Sequence, residues 1–136
     1  MGTMLIYCVA CASEVNARLT RGEEIYPHRP YLFNLPFWRC DNCNNYVGCH
    51  HKTRTPTKPL GVIPNEEIRA ARRYIHALID PVWMYGKMGR RQVYSKLSNY
   101  LGYKYHTAEL RTVEQCREVY KAAKWIFMTT RSVDPK

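Results

Sequence analysis

Apolar and polar positions follow a strand-like pattern in the first third of the chain and recur at helical spacing in its second half. Met4-Leu5-Ile6-Tyr7 is a strand-forming run, and Glu14 to Leu19 alternates roughly between apolar and polar residues, which predicts its return strand. Arg21-Gly22-Glu23-Glu24 reads as a turn, and Glu24-Ile25-Tyr26 as the start of another short strand. Pro27 and Pro30 interrupt it, because proline cannot occupy a central ladder position. Tyr31-Leu32-Phe33 and Phe37-Trp38-Arg39 are β-favouring runs on either side of Asn34-Leu35-Pro36, and Tyr46-Val47-Gly48-Cys49 predicts one more strand. From 51 to 64, Pro56, Pro59, Pro64 and Gly61 exclude a long helix and leave a loop or ordered connection.

Three helices are expected after that. Asn65 is a good N-cap, and Glu66-Glu67 stand in the first turn, where the helix dipole favours acid. Ile68, Ala71, Ile75, Leu78 and Ile79 form one apolar stripe, with Arg69, Arg72 and Arg73 off it. Asp80-Pro81 predicts the end of this helix, since the residue before proline resists helical geometry. A second helix spans Arg90 to Leu101, with Val93, Tyr94, Leu97, Tyr100 and Leu101 inward and Gly102 as its stop. Tyr103 to Leu110 is an irregular return. Thr112-Val113-Glu114-Gln115 fits a capping box, and the third helix runs to about Phe127 on a stripe of Cys116, Val119, Tyr120, Ala123, Ile126 and Phe127. The fold class is therefore α+β: a small antiparallel β unit over 1–51, a basic proline-rich connection over 52–64, a three-helix region over 65–128 packed on the β unit, and a tail over 129–136.

The cysteines change this picture most. Cys8-Val9-Ala10-Cys11 and Cys40-Asp41-Asn42-Cys43 are two C-x-x-C pairs with 28 residues between them. Each pair makes a tight turn that points two sulfurs at one ion, and two such turns on antiparallel strands complete a tetrahedron: a four-cysteine zinc ribbon holding one structural Zn²⁺. Such a closed site stabilises a fold and performs no chemistry of its own. The long gap requires an extra hairpin or loop between the knuckles. A thioredoxin-like redox pair is disfavoured, because there is no βαβ context and there are two pairs.

Charge adds a partner class. In 136 residues, 21 Lys+Arg stand against 11 Asp+Glu, a formal net charge of +10. That excess favours a polyanion, whether nucleic acid, an acidic protein face or an anionic membrane, although a soluble basic protein without such a partner has the same composition. No apolar stretch approaches membrane-spanning length, and Met1 to Tyr7 is too short an apolar run for a signal peptide. The expected setting is a reducing cytoplasm with thiolates on zinc. From Pro81 to Ala108 no residue is acidic, while Lys87, Arg90, Arg91, Lys96 and Lys104 alternate with Tyr85, Tyr94, Tyr100, Tyr103 and Tyr105. Cations neutralise phosphates and aromatic rings stack on bases, so this stretch is a candidate nucleic-acid face. Lys52, Arg54 and Lys58 of the connection join the candidate binding residues. The competing reading is a solvated face with its tyrosines in the core. No helix carries an evident base-reading pattern, so sequence specificity is not expected.

Two further constellations bear on catalysis. Cys49-His50-His51 follows the second knuckle, and an open metal site there would permit chemistry. The plainer reading packs Cys49 under the β unit and leaves the histidines to surface or hydrogen-bonding roles, since 48–65 offers no carboxylate base. His76 and Asp80 stand four apart on the first helix, as a proton-transfer pair or a helix-ending hydrogen bond.

Tyr46-Val47-Gly48-Cys49-His50, Pro59-Leu60-Gly61, Arg69, Arg72, Arg73, His76, Asp80-Pro81 and Trp83 together resemble the zinc-finger-containing domain family of small phage and bacterial proteins. Arg90-Arg91, Tyr94, Leu97, Leu101-Gly102 and Glu114-Gln115-Cys116-Arg117 extend the resemblance from Cys8 to about Lys124. The resemblance implies a zinc ribbon followed by helices, and a phage-encoded protein in a bacterial cytoplasm. It implies no particular activity. The leading expectation is a non-enzymatic protein contacting nucleic acid, within a larger host or phage complex or alone. The alternatives are an inhibitor or adaptor that binds a host defence or transcription protein, and a metal-dependent nuclease using Cys49, His50, His51 or His76 with Asp80.

Overall fold

The computed structural model describes residues 2–86 and 88–129. Lys87 and most of the expected tail, 130–136, lie outside the described residues. The chain divides into two compact units between Glu66 and Glu67.

The first unit is a four-stranded antiparallel meander of β1 (Thr3–Cys8), β2 (Ser13–Arg21), β3 (Pro36–Arg39) and β4 (Tyr46–Gly48), in the spatial order β1-β2-β3-β4. Side chains alternate across a pleated sheet, so register decides which residues share a face. Ile6 pairs with Val15, Met4 with Ala17, and Leu19 with Trp38, which pairs in turn with Val47. That face continues into Cys8, Cys40 and Cys49, and the buried cluster consists of Ile6, Cys8, Ala17, Trp38, Cys40, Val47, Cys49 and Ile63. Two of the four knuckle sulfurs thus sit within the apolar core, and Cys11 and Cys43 pack against it.

The opposite face carries Arg18 opposite Arg39, Arg39 opposite Tyr46, and Thr20 opposite Phe37. The segment between β2 and β3 supplies partners to this face. The sequence predicts a turn, a strand start and a further β run here; the structure has a helical turn, α1 (Gly22–Ile25), and a 3₁₀ turn, Pro30–Leu32. Hydrogen bonds explain the difference: the Gly22 and Glu23 N–H groups donate to the Leu35 and Phe33 carbonyls, folding the segment back on itself. Tyr26 then meets Phe37 and Tyr46 edge-on at 5.8 and 5.5 Å, and its hydroxyl lies 2.6 Å from that of Tyr46.

The proline-rich stretch belongs to this first unit. Cys49 bridges Pro59, the His50 N–H donates to the Lys58 carbonyl (2.9 Å), and the Trp38 indole donates to the Thr57 carbonyl (2.6 Å). Ile63, fully buried, then bridges Cys8 beside the first knuckle.

The second unit contains α2 (Glu66–Tyr85), α3 (Arg90–Leu101) and α4 (Val113–Ala123), followed by a π-helical stretch, Lys124–Thr129. α2 does not stop at Asp80. Pro81 lies inside it, and the helix runs on to Tyr85. The Trp83 indole donates to Asp80 (3.1 Å), and His76 Nδ1 lies 3.3 Å from the same carboxylate, so side-chain bonds at helical spacing clasp the chain across the proline. Ile68, Ile75 and Ile79 form its buried stripe. α3 matches its expected span, with Val93 and Leu97 buried and Gly102 in the left-handed conformation (φ 86°) as its cap. Tyr100, expected inward, is 57% exposed: it shares the face of Val93 and Leu97 but stands in the last turn of α3, which is not covered as those two are. α4 begins with the expected capping box of Thr112 and Gln115 and buries Cys116, Val119, Ala122 and Ala123. Tyr120, also expected inward, is 38% exposed, while Phe127 is buried.

At Gly22 a side chain cannot be accommodated, since a Cβ there overlaps the Leu32 carbonyl. Gly22→Ala is expected to lower the stability of the first unit by about 1–3 kcal/mol, the usual range for overpacking. Gly2→Ala, in the same unit and with nothing within 4 Å of a Cβ, serves as the neutral comparison, and urea midpoints read both.

Candidate metal centre

The β1–β2 and β3–β4 turns lie at the same end of the meander, and each contains one C-x-x-C pair. Both turns close in the same way. The residue after the second cysteine has positive φ, 55° at Ala12 and 67° at Asn44, which swings the chain back under the sulfurs. The Ala12 N–H donates to the Val9 carbonyl, and the Asn44 N–H to that of Cys40.

The Sγ atoms of Cys8, Cys11, Cys40 and Cys43 all lie within 4.8 Å of one another. Cys8 and Cys43 sulfurs are 3.4 Å apart, and those of Cys11 and Cys40 are 3.7 Å apart. A zinc tetrahedron with Zn–S bonds of about 2.3 Å has edges of about 3.8 Å, so the donor set fits Zn²⁺. None of the four cysteines is in a disulfide. The surroundings also suit thiolates: Asn45 donates its side-chain amide to Cys43 Sγ (3.2 Å). Burial raises the Cys43 thiol, but the backbone and side-chain hydrogen bonds from Asn45, with those of the neighbouring sulfurs, outweigh it and bring the group down to about 7. Burial pushes Cys8 up to about 12, and Cys11 is raised by the Cys40 sulfur beside it and then by burial. A cation that replaces those protons resolves the conflict of clustered, half-buried sulfurs.

An ion-pair network steadies the second knuckle, and sequence reasoning does not find it. Arg18 donates to both carboxylate oxygens of Asp41 (2.8 Å each) and to Glu24 (2.8 and 3.0 Å). Arg39 donates to Glu24 (2.9 Å) and to the Asn44 side chain (2.6 Å). Like charges directly opposite on neighbouring strands repel, and here two carboxylates, one from inside the knuckle and one from α1, neutralise the pair. Arg18, Thr20 and Arg39 hold the Glu24 carboxyl at about 2. Its contribution is therefore present above the usual carboxylate value and is lost as pH falls towards 2. Partial exposure keeps that contribution small. The only local signal is an acid between the knuckle cysteines; the Arg18–Arg39 pairing depends on register.

The remaining sequence candidates fall in different places. Cys49 is 5% exposed in the apolar core, and burial pushes its thiol up to about 11. His50 is half-buried, and His51 is exposed with Nδ1 3.4 Å from the Cys49 carbonyl. Among the described residues, the four knuckle cysteines are the only group of three or more Cys, His, Asp or Glu side chains gathered closely enough for one metal. The structure draws none of Cys49, His50, His51, His76 and Asp80 into such a group. Lys52, Arg54 and Lys58 are exposed on the connection, and Arg90, Arg91, Lys96 and Lys104 are exposed on and after α3. Tyr94 and Tyr105, two of the interleaved tyrosines, instead stack on each other at 5.6 Å, with Tyr105 buried and its hydroxyl 2.6 Å from that of Thr107.

Residues 4–125 match the zinc-finger-containing domain family. The chain belongs to that family. No curated protein and no solved structure matches it. The match spans both units of this zinc-finger-containing domain, so the helices belong to the family's definition as much as the knuckles do. Among the described residues, no helix is long and apolar enough to cross a membrane.

Cys40→Ser removes one ligand of a closed site and is expected to unfold the first unit, read as a red shift of Trp38 fluorescence together with loss of the bound zinc. In the intact domain, zinc affinity is expected to fall as pH falls, because protons compete for sulfurs such as Cys8 that hold them tightly without metal. Competition with a chromogenic chelator across pH measures this; an affinity that rises on acidification contradicts thiolate ligation.

Proposed function

We propose that this zinc-finger-containing domain is a non-enzymatic binding protein that contacts nucleic acid through the basic face of its helical unit. One observation carries the reading. Fourteen of the 21 basic residues but only six of the 11 acidic ones lie in residues 67–136, and the acid-free stretch from Pro81 to Ala108 exposes Arg90, Arg91, Lys96 and Lys104. In the first unit, by contrast, Arg18 and Arg39 are already neutralised by Glu24 and Asp41. Phosphate contacts need cations that are not already paired, and the second unit supplies them. The resemblance to phage and bacterial proteins supports a setting inside a bacterial cell.

Arg90 differs from its neighbours. Its guanidinium lies over the Trp83 ring at 5.6 Å and over the Tyr94 ring at 5.5 Å, so it also braces the turn between α2 and α3. A clean test therefore leaves Arg90 in place.

A second reading, an inhibitor or adaptor on a host protein, draws on a groove of about 480 Å³ between α2 and α4. Its lining includes Ile75, Tyr74, Tyr120, Arg117 and Lys121, and Tyr74 is 69% exposed. An apolar floor with a basic rim suits an acidic amphipathic segment.

The triple variant Arg91→Ala, Lys96→Ala, Lys104→Ala is expected to keep its zinc and its helical circular dichroism. It should weaken nucleic-acid binding and lower the slope of log affinity against log salt by about 2–3, from about 0.7–0.9 per lost contact. Unchanged affinity and slope reject the basic-face reading, and binding of a host protein that is insensitive to salt favours the adaptor.

A further inference from the structure

Three large aromatic side chains stand uncovered where the C-terminal end of α3 meets α4. Tyr100 is 57% exposed, Tyr103 43% and Trp125 59%. Tyr100 and Trp125 line one groove of about 470 Å³, together with Leu101 and Ala122, and with Glu118 and Lys121. Tyr103 follows Tyr100 by three residues, directly after the Gly102 cap that ends α3.

Trp125 does not belong to the buried stripe of its helix. Cys116, Val119, Ala122, Ala123 and Phe127 turn inward, whereas Trp125 follows Lys121 by four residues and Glu118 by seven, on the exposed side. Most of the apolar surface of that ring therefore stays in water, where burial would have been favourable. Trp125 is also presented by the π-helical stretch Lys124–Thr129, a conformation that is rare and occurs often at functional sites. Cations surround the three rings. Lys96 is one helical turn before Tyr100, Lys104 follows Tyr103, and Lys121 lines the groove. Glu118 is the one acid lining the groove.

We infer that Tyr100, Tyr103 and Trp125 form a stacking platform for the unpaired bases of single-stranded nucleic acid, with Lys96, Lys104 and Lys121 tracking its phosphates. The inference rests on the nucleic-acid reading above and narrows it. In a duplex the base faces are stacked on one another and only the backbone and groove edges are offered. A single strand offers free π-faces, and exposed rings flanked by cations are complementary to it. Every base has such a face, so the platform tolerates any sequence, in keeping with helices that lack a base-reading pattern.

Tryptophan fluorescence of the zinc-loaded full chain tests this. Trp38 is 4% exposed in the first unit, and Trp83 is half-buried against Asp80, so a ligand stacking on Trp125 reports mainly there. An oligothymidylate of about 16 nucleotides is expected to quench the emission and to bind more tightly than a duplex of the same length. An oligouridylate in parallel distinguishes RNA from DNA. Trp125→Ala should abolish the quench and weaken binding roughly tenfold, Trp125→Phe should restore most of the affinity, and Trp83→Phe should keep the quench. Equal affinity for duplex and single strand, or a Trp125→Ala variant that binds single strands undiminished, overturns the platform while leaving the electrostatic reading intact. Absence of binding to either form at low salt overturns both.

Discussion

The four sulfurs are the constraint on which the first unit depends. Two knuckles at the same end of a meander must bring Cys8 to 3.4 Å from Cys43 and Cys11 to 3.7 Å from Cys40, across strands that are not neighbours in sequence. A sheet of strands between three and nine residues long buries little apolar surface, and Cys8 and Cys40 are themselves among its most buried side chains. Without a cation the same cluster packs groups that repel when ionised and remain poorly solvated when protonated, so metal and core are one stabilising system. The turn geometry follows from it. Ala12 and Asn44 both adopt positive φ, at a cost of about 1–2 kcal/mol for a residue with a Cβ, because the sulfurs converge only if the chain turns back at those points.

That constraint also explains where charge is consumed. Register sets Arg18 opposite Arg39 just below the second knuckle, and Asp41 inside the knuckle with Glu24 from α1 neutralises them. The extra chain between the knuckles thus serves the sheet, since α1 and the residue after it deliver a carboxylate and Tyr26 to the face that the metal does not cover. The two arginines of the sheet are neutralised in this way, whereas Lys52, Arg54 and Lys58 of the connection and the larger basic excess of the second unit stay exposed.

Much of this is legible in the sequence. The metal site follows from spacing alone, because C-x-x-C turns have few other uses in pairs. The α3 span, the Gly102 cap and the Thr112–Gln115 box are local features, decided by residues within one turn of each other. The departures occur where distant or side-chain interactions overrule local preference. Tyr31-Leu32-Phe33 has strand-forming residues, but the Gly22–Leu35 and Glu23–Phe33 hydrogen bonds hold that stretch in turns. Asp80-Pro81 looks like a helix end, yet Trp83 and His76 both bind the Asp80 carboxylate and the helix continues. Tyr100 stands in the last turn of α3 and Tyr120 at the margin of its apolar stripe, where periodicity does not decide between core and surface.

Several of the residues that carry the resemblance in the helical region belong to one connected series. His76 lies against Asp80, Asp80 accepts from Trp83, Trp83 and Tyr94 face the Arg90 guanidinium, and Tyr94 stacks on Tyr105, whose hydroxyl meets Thr107. Arg90 joins the end of α2 to the start of α3, and the Tyr94–Tyr105 stack joins α3 to the return before α4. Arg72 adds a further tie, donating from α2 to the Ala108 and Leu110 carbonyls of that return, and burial lowers its guanidinium to about 10. A series with this layout fixes the turns between helices. Apart from the exposed Arg90, its polar groups are inward or half-buried, which leaves Arg91, Lys96 and Lys104 on the outside as the charges without that structural duty. On the proposed reading, function in the second unit therefore belongs to the residues the scaffold does not use, and the scaffold explains why they share one exposed, acid-free stretch.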